Sequence, residues 1–408
     1  MTTHRGLPFA AGIVTVVFAL TGCSSPQPDA SSSSGASLPS TTSQPKISAS
    51  VDLESQLVPV PSIVVNGAPT ATVESQAKVV SDLASPWDIE TMLDGSMLIS
   101  ERDTGAIKRI RAGFATKLNG PGAEAMRSMV VADGEGGLLG LAISPTDPSL
   151  LYAYVSRSDG NSVVRMSIAG ELLSSPVDVI TGIPHASKHD GGRMAFGPDG
   201  FLYITTGDAG DAALAQDEDS LAGKILRVIA DGGADDGTAA PGNPFDSLVW
   251  SMGHRNVEGL GWAADGRMYA TEFGQDSWDE LNLIVPGANY GWPTVEGLKG
   301  GPAGTDLGET VDGMTFPVAQ WPVAEASPSG MAIAADAIYV AALRGEGVLR
   351  IPLTQTGIGA PARLNVDLGR IRDISLGVGD TLNVLTNNTD GRGDPRDGDD
   401  HIYRLTLS

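Results

Sequence analysis

Asp199-Gly200-Phe201-Leu202-Tyr203-Ile204 joins a tight Asp-Gly turn to a short strand of apolar and aromatic residues. The same order of turn and strand returns five more times, at residues 94–99, 147–152, 265–270, 336–340 and 379–384. Successive copies lie roughly 45 to 70 residues apart, which is too far for helical solenoid repeats but suits four-stranded blades with loops of unequal length. The sequence therefore predicts an all-β fold, a six-bladed β-propeller. A β-sandwich or two separate β domains is the alternative.

The N-terminal part of the chain has the composition of an export signal and a tether. Arg5 precedes an apolar run over residues 9–20, and Leu20-Thr21-Gly22-Cys23 resembles the lipobox of bacterial lipoproteins. Cys23 is the only cysteine in 408 residues, so we expect it to carry a lipid; a buried structural cysteine is the alternative. We expect a signal peptide at 1–22, a lipid-anchored Ser-, Pro- and Thr-rich linker at 23–54, and the propeller at 55–408. The protein would then be exported and held at the outer face of the cell membrane by this anchor alone.

The charge balance excludes one class of partner. The formal net charge is −23, from 26 basic and 49 acidic residues, which offers no net attraction to the phosphates of a nucleic acid. An acidic surface also favours solubility, which is the simpler explanation for it.

A histidine and an aspartate flank the hairpin that contains the first-quoted repeat. His189 precedes one predicted strand and Asp208 follows the next, so the turn between the strands returns the carboxylate towards the imidazole. A histidine oriented by a carboxylate can accept a proton from a hydroxyl group at neutral pH. The alternative is an ordinary hairpin with polar ends.

Arginines recur at comparable places in the later repeats. Arg255 and Asn256 follow His254 in a segment too polar for a buried strand, and Arg344 follows a predicted strand. If residues 369–373 are extended, the side chains of Arg370 and Arg372 point to the same side. Paired guanidinium groups can clamp planar carboxylates, so a bound anion is one interpretation. Salt bridges between blades or a solvated edge strand are the alternatives.

Acidic and glycine-rich loops follow the fourth repeat. Residues 272–282 contain four carboxylates, and residues 286–293 contain turns whose carbonyl groups can be free. Carboxylate and carbonyl oxygens are the ligands that Ca²⁺ prefers. Acidic loops are also common in a chain this acidic, so calcium binding and plain solvation both remain open.

Taken together, these segments resemble the soluble, quinone-dependent glucose and aldose-sugar dehydrogenases, also called glucose/sorbosone dehydrogenases. The resemblance extends from about residue 83 to 405 and keeps the family's order of motifs. These motifs are Ser85-Pro86-Trp87-Asp88, residues 134–140, the His189 hairpin, Gly253-His254-Arg255-Asn256, Asn289-Tyr290-Gly291-Trp292-Pro293, Arg344 and Arg370-Ile371-Arg372.

The resemblance implies a propeller that holds pyrroloquinoline quinone (PQQ) over its axis with a nearby Ca²⁺. His189 would be the general base and Asp208 its orienting carboxylate. The residues implied around the cofactor are Glu135, Arg255, Asn256, Arg344, Arg370 and Arg372. Main-chain carbonyls of Gly274 and Gln275 would bind the cofactor's calcium, and a second calcium pattern matches the Glu280 side chain and the Tyr290 carbonyl.

Three positions depart from the best-known glucose-oxidising members of the family. Lys188 stands where these carry an acid before the base, Glu135 replaces a glutamine, and Arg344 replaces a lysine. Lys188 and Glu135 would border the sugar, so the departures leave the identity of the sugar open.

The function expected from the resemblance is oxidation of an aldose at its anomeric carbon to a lactone, with an electron acceptor of unknown identity. Two other hypotheses for the function remain. One is a calcium-dependent propeller lactonase, and the other is a non-catalytic, surface-anchored propeller that binds sugar or protein.

Overall fold

Six sheets, each built on four antiparallel strands, account for most of the regular structure. The computed structural model describes residues 63–64, 70–298 and 313–407, all within the unit Glu54–Ser408. The predicted signal peptide, Cys23 and the linker lie outside the described residues. Within the described part of the chain, no helix is long and apolar enough to cross a membrane.

The blades follow one another along the chain. Blade 1 consists of Pro86–Thr91, Met97–Glu101, Ala106–Arg111 and Phe114–Lys117. Blade 2 consists of Leu138–Ile143, Leu150–Arg157, Gly160–Ala169 and Val177–Ile183, with the short strand Leu172–Leu173 beside the third. Blade 3 consists of Met194–Phe196, Leu202–Thr205, Lys224–Val228 and Val249–Met252.

The second half of the ring has the same construction. Blade 4 consists of Val257–Trp262, Met268–Glu272, Trp278–Ile284 and Ala319–Pro322, extended in parallel by Ile63–Val64. Blade 5 consists of Pro328–Ile333, Ala337–Ala342, Gly347–Thr354 and Ala362–Leu364, with Gly357–Ile358 and the parallel strand Thr70–Ala71. Blade 6 consists of Ile371–Leu376, Thr381–Thr386, Ile402–Leu407 and Val73–Val80. A helix, Pro121–Met129, joins blades 1 and 2, and a 3-10 helix, Ala212–Gln216, lies inside blade 3.

The six predicted repeats are the turns that lead into the second strand of each blade. In blade 3 the Asp199 side chain accepts a hydrogen bond from the Phe201 amide at 3.3 Å, and Gly200 takes a φ of 81° in the left-handed region. Buried apolar residues of each second strand, such as Leu202 and Ile204, then pack between neighbouring blades. The predicted six-bladed β-propeller is confirmed, and the sandwich alternative is wrong.

The ring closes through a strand from the beginning of the domain. Val73–Val80 pairs antiparallel with Ile402–Leu407, with Val80 opposite Ile402, so blade 6 contains both ends of the domain. Because the strands are antiparallel, the loop before each first strand and the loop after each second strand reach the same face. The predicted base, its carboxylate and the arginines all belong to these two kinds of loop or to the adjoining strand ends.

Candidate active site

The His189 imidazole and the Asp208 carboxylate are in contact. Nδ1 of His189 lies 2.7 Å from Oδ1 of Asp208. Asp208 also accepts hydrogen bonds from the Gly210 amide at 2.7 Å and from Nε1 of Trp292 at 2.9 Å. Burial by itself raises the pKa of Asp208, but the bonds from His189, Gly210 and Trp292 together lower it below 3.8. An ionised Asp208 only accepts, so Nδ1 carries the proton and Nε2 is left as a proton acceptor.

The backbone of His189 is held in an unusual conformation by its neighbours. Its φ is 60°, in the left-handed region. The His189 amide donates to Oε2 of Glu135 at 2.8 Å, and its carbonyl accepts from the Ala209 amide at 3.1 Å. A Cβ at Gly207 would lie 1.9 Å from that carbonyl oxygen, so only glycine permits this close approach. The imidazole is therefore fixed by a rigid loop rather than by one hydrogen bond.

Glu135 connects the base to blade 6. Its second oxygen, Oε1, accepts from Nη1 of Arg392 at 2.9 Å. Burial opposes ionisation of Glu135, yet the His189 amide and the charge of Arg392 lower its pKa below 4.5. Glu135 is thus an anion that links the loops before blade 2 and blade 3 to the loop inside blade 6.

A cavity beside His189 lies over the propeller axis. Its lining includes Trp87, Glu135, Asp190, Glu258 and Arg372, which come from blades 1, 2, 3, 4 and 6 or from the loops leading into them. Residues contributed by five blades can meet only near the centre of the ring.

The floor of the cavity is a chain of polar contacts. The Gly191 amide donates to Oδ1 of Asn256 at 2.9 Å, and Nδ2 of Asn256 donates to Glu258 at 3.0 Å. Nη1 of Arg372 donates to the other oxygen of Glu258 at 2.9 Å. Arg370 donates to Asp390 at 3.0 Å. Arg372, which lines the cavity, thus shares Glu258 with Asn256, and the predicted pair Arg370 and Arg372 converges on Asp390.

Arg255 and Arg344 approach the site from blades 4 and 5. Arg255 lies over the Trp292 ring at 5.4 Å and donates from Nη1 to the Phe273 carbonyl at 3.1 Å. Arg344 is exposed and donates to the Val323 carbonyl at 2.8 Å. Burial raises the pKa of the carboxyl group of Asp279 to about 7, although the charges of both arginines act against this shift. Arg255 and Arg344 therefore face one buried acid.

The first predicted calcium loop has carbonyl groups available. The amides of residues 275–278 all donate to Oε1 of Glu296, at 2.7 to 3.1 Å. The Gly274 amide donates to Asp279 at 3.0 Å. Among the described residues, the carbonyl oxygens of Gly274 and Gln275 accept no hydrogen bond. No group of three or more His, Cys, Asp or Glu in the described part of the chain could hold a metal, so a cation here would depend on main-chain oxygens.

The second predicted calcium position is a buried carboxylate pair. Glu280 accepts from the Gly297 amide at 2.7 Å and from Asn282 at 3.0 Å, and Asn282 also lies 3.4 Å from Glu272. Burial, with the nearby charge of Glu272, raises the pKa of Glu280 to about 8. The Tyr290 carbonyl accepts no hydrogen bond from the described residues. Neutralising this pair requires a proton or a cation.

Several residues of this site were not among those predicted from the sequence. Arg392, Glu258 and Asp390 were absent from the predicted set, and Trp292 appeared only as part of a motif. Asp390-Gly391-Arg392-Gly393 does follow a predicted strand, at the same place in blade 6 as Arg344 in blade 5. That equivalence is the signal that could have identified Arg392.

Several known proteins are similar to this chain in sequence or in fold. Residues 83–403 match the family model described as Glucose / Sorbosone dehydrogenase. Quinoprotein glucose dehydrogenase B of Acinetobacter calcoaceticus is 31% identical over 257 residues, which cover 54% of this chain and only 52%, about half, of that protein. Aldose sugar dehydrogenase YliI of Escherichia coli (strain K12) is 29% identical over 344 residues, covering 76% of this chain and 89% of that protein. The PQQ-bound form of the aldose sugar dehydrogenase from Streptomyces coelicolor has a TM-score of 0.73 at 45% identity, covering 84% of this chain and 100% of that one.

Proposed function

This chain belongs to the glucose/sorbosone dehydrogenase family, and we propose that it is a PQQ- and calcium-dependent dehydrogenase that oxidises an aldose to a lactone. The observation that carries the proposal is the buried His189–Asp208 pair, which lies beside a cavity lined by Arg372 and by two residues bonded to Asn256. A proton acceptor beside asparagine and arginine side chains supports a reaction that uses an anionic cofactor.

The arginines suit a cofactor with several carboxylates. In Arg255, Arg370 and Arg372 the buried Nε atoms have no hydrogen-bond partner among the described residues. A buried donor without a partner costs about 1–3 kcal/mol, so each of these groups would gain from an incoming acceptor. Arg255, Asn256, Arg370 and Arg372 would hold the cofactor, with Arg344 at the rim. When bound, PQQ supplies a quinone that takes up a hydride equivalent from the sugar.

Calcium would be bound by the carbonyls of Gly274 and Gln275, and at a second position by Glu280 and the Tyr290 carbonyl. The unpaired carbonyl oxygens at these positions support the proposal, because Ca²⁺ prefers oxygen ligands and accepts irregular geometry. The ion would add positive charge beside Arg255.

In this proposal, Nε2 of His189 accepts the proton of the anomeric hydroxyl. Asp208 holds the other nitrogen and stabilises the imidazolium that forms. Glu135 keeps the base in place through the His189 amide. As the hydride leaves C1, the C1–O bond becomes a carbonyl, and the cyclic sugar becomes a lactone.

Reconstitution of the protein with PQQ and Ca²⁺, followed by dye reduction across a panel of aldoses, tests this function. We expect turnover with at least one aldose and its loss in His189→Ala, with PQQ binding retained. Near-normal turnover in His189→Ala would contradict the assignment of the base. Failure to bind PQQ would instead favour the lactonase or the sugar-binding alternative.

We also propose that the protein is an exported lipoprotein, since Cys23 follows an apolar run and is the only cysteine. Labelling of cells with a radioactive fatty acid should mark the wild-type chain and not Cys23→Ser. Equal labelling of both would contradict the anchor.

A further inference from the structure

Glu135 holds two cationic residues near the base, Lys188 through the backbone on either side of it and Arg392 through its side chain. The Glu135 amide donates to the Ser187 carbonyl at 3.1 Å, and the Glu135 side chain accepts from the His189 amide at 2.8 Å. The backbone of Lys188 is thus fixed between two hydrogen bonds to Glu135. Arg392 donates to the same carboxylate at 2.9 Å from blade 6. Arg392 lines the cavity, and Lys188 directly precedes the base in the chain.

The positive charge at this edge is not fully balanced. Lys188 is exposed, and no carboxylate of the described residues lies within ion-pair distance of its ammonium group. A Cβ on Gly210 would lie 3.0 Å from Cε of Lys188, so the side chain runs beside the loop of Asp208 instead of away from the site. Asp208 is already bonded to His189, and Glu135 is already paired with Arg392.

Arg392 keeps donors available for a ligand. Its side chain is 56% exposed, and only Nη1 has a partner among the described side chains. By contrast Arg396, which is 53% exposed in the same loop, is paired with Asp367 at 2.8 Å. In a chain with 49 acidic and 26 basic residues, an unpaired lysine and an incompletely paired arginine, both held by Glu135, favour an anionic ligand.

We propose that the preferred substrates are aldoses that carry a carboxylate, such as hexuronic acids, and that Lys188 and Arg392 bind this carboxylate. The inference rests on the proposed oxidation at C1. With C1 beside Nε2 of His189, the far end of the pyranose ring can reach the rim, where an ammonium and a guanidinium group suit a carboxylate.

The reaction itself is the same as for a neutral aldose. The C1–H bond gives up a hydride to the bound quinone, and the anomeric O–H proton goes to His189. The carboxylate at C6 is neither oxidised nor reduced, and the product is the lactone of an aldaric acid.

Matched sugars test this proposal in the full chain loaded with PQQ and Ca²⁺. We expect kcat/KM for glucuronate to exceed that for glucose by about fivefold, as befits a partly exposed ion pair. Lys188→Gln should bring the glucuronate-to-glucose ratio close to one, Lys188→Arg should retain it, and the control Arg396→Gln should leave it unchanged. A wild-type ratio at or below one, or the same ratio in Lys188→Gln, would overturn the inference.

A binding measurement separates this inference from the proposed function. Methyl β-glucuronide and methyl β-glucoside lack the anomeric hydroxyl and cannot be oxidised at C1, so calorimetry can compare their binding in the absence of turnover. Tighter binding of the glucuronide, lost in Lys188→Gln, supports the carboxylate site even if no aldose is oxidised. Oxidation of neutral aldoses without any preference for the glucuronide would leave the dehydrogenase assignment intact and refute the carboxylate site.

Discussion

Replacing Asp208 with asparagine tests the catalytic pair with the smallest change of shape. Oδ1 of Asp208 accepts from both His189 and Gly210 at 2.7 Å, and Oδ2 accepts from Trp292 at 2.9 Å. An asparagine has one oxygen for three donors. The arrangement that preserves more bonds keeps the oxygen towards His189 and Gly210 and turns the amide NH₂ against the indole N–H of Trp292.

The effect on the base can be worked out from these contacts. A hydrogen bond to a charged group contributes about 1.5–3 kcal/mol and a neutral one about 0.5–1.5, so imidazolium loses about 1–1.5 kcal/mol of stabilisation. That alone slows the proton transfer roughly tenfold. If the asparagine instead turns its NH₂ towards His189, Nδ1 must accept and the proton sits on Nε2, which removes the base and the about 10²–10⁴-fold that it supplies. We therefore expect kcat for Asp208→Asn to fall by about 10- to 10,000-fold, depending on which way the amide turns.

Stopped-flow reduction of the PQQ-loaded enzyme by a saturating aldose measures this step directly. PQQ binding, followed by fluorescence quenching, should be unchanged, because the one contact of Asp208 with an arginine is its backbone amide donating to the Arg255 carbonyl at 2.8 Å, which the substitution keeps. Asp211→Asn is the matched control, since Asp211 lies in the same loop and only caps the 3-10 helix through the Ala213 amide. A reduction rate for Asp208→Asn within about threefold of wild type would refute the reasoning.

Three further predictions concern stability. Arg193→Met should lower the free energy of unfolding by about 3–5 kcal/mol, measured by urea denaturation, because it leaves two buried aspartates without their cation. Burial and a neighbouring carboxylate raise the pKa of Glu280 from its usual 4.5 to about 8 in the folded protein. The contribution of Glu280 to the free energy of unfolding is therefore fully present below pH 4.5, and it is lost as the pH rises through about 8. Glu280→Gln should therefore raise Tm above pH 8 in calcium-free buffer and have little effect below pH 4.5; an equal effect at both would contradict the assignment. Gly207→Ala should cost about 1–3 kcal/mol and reduce kcat, because its methyl group would meet the His189 carbonyl at 1.9 Å; Gly261→Ala, which meets only side-chain atoms at 3.3 Å, should be close to wild type.

The fold was predictable because the turn before each second strand is a local signal. Asp199 and Gly200 close their turn with contacts inside six residues, and the equivalent turns at Asp94 and Asp265 use the same hydrogen bond to the residue two positions on. Six such turns fix the number of blades. The short strand Ile63–Val64, which adds to blade 4 in parallel, has no comparable pattern and depends on tertiary contact alone.

The site was predictable only where one hairpin or one strand contains both partners. His189 and Asp208 belong to one hairpin, so their contact follows from local geometry. The ion pair of Glu135 with Arg392 joins residues separated by 257 positions, and no sequence period relates them. Its existence depends on how blades 2 and 6 close around the axis, which a single sequence does not encode in any local pattern.

Balanced local charge explains how so acidic a chain could hold an anionic cofactor. Arg370 and Arg372 approach the same oxygen of Asp390 at 3.0 and 4.0 Å, and Arg372 also donates to Glu258. Asp390 and Glu258 offset the electrostatic repulsion between the two buried guanidinium groups. Their hydrogen bonds also fix the orientation of both guanidinium groups. The net charge of −23 acts mainly beyond the cavity, because exposed charges more than about 8 Å away are screened at physiological salt. An incoming carboxylate would meet oriented donors with unpartnered Nε atoms, so its affinity would depend on hydrogen-bond geometry more than on the charge of the whole protein.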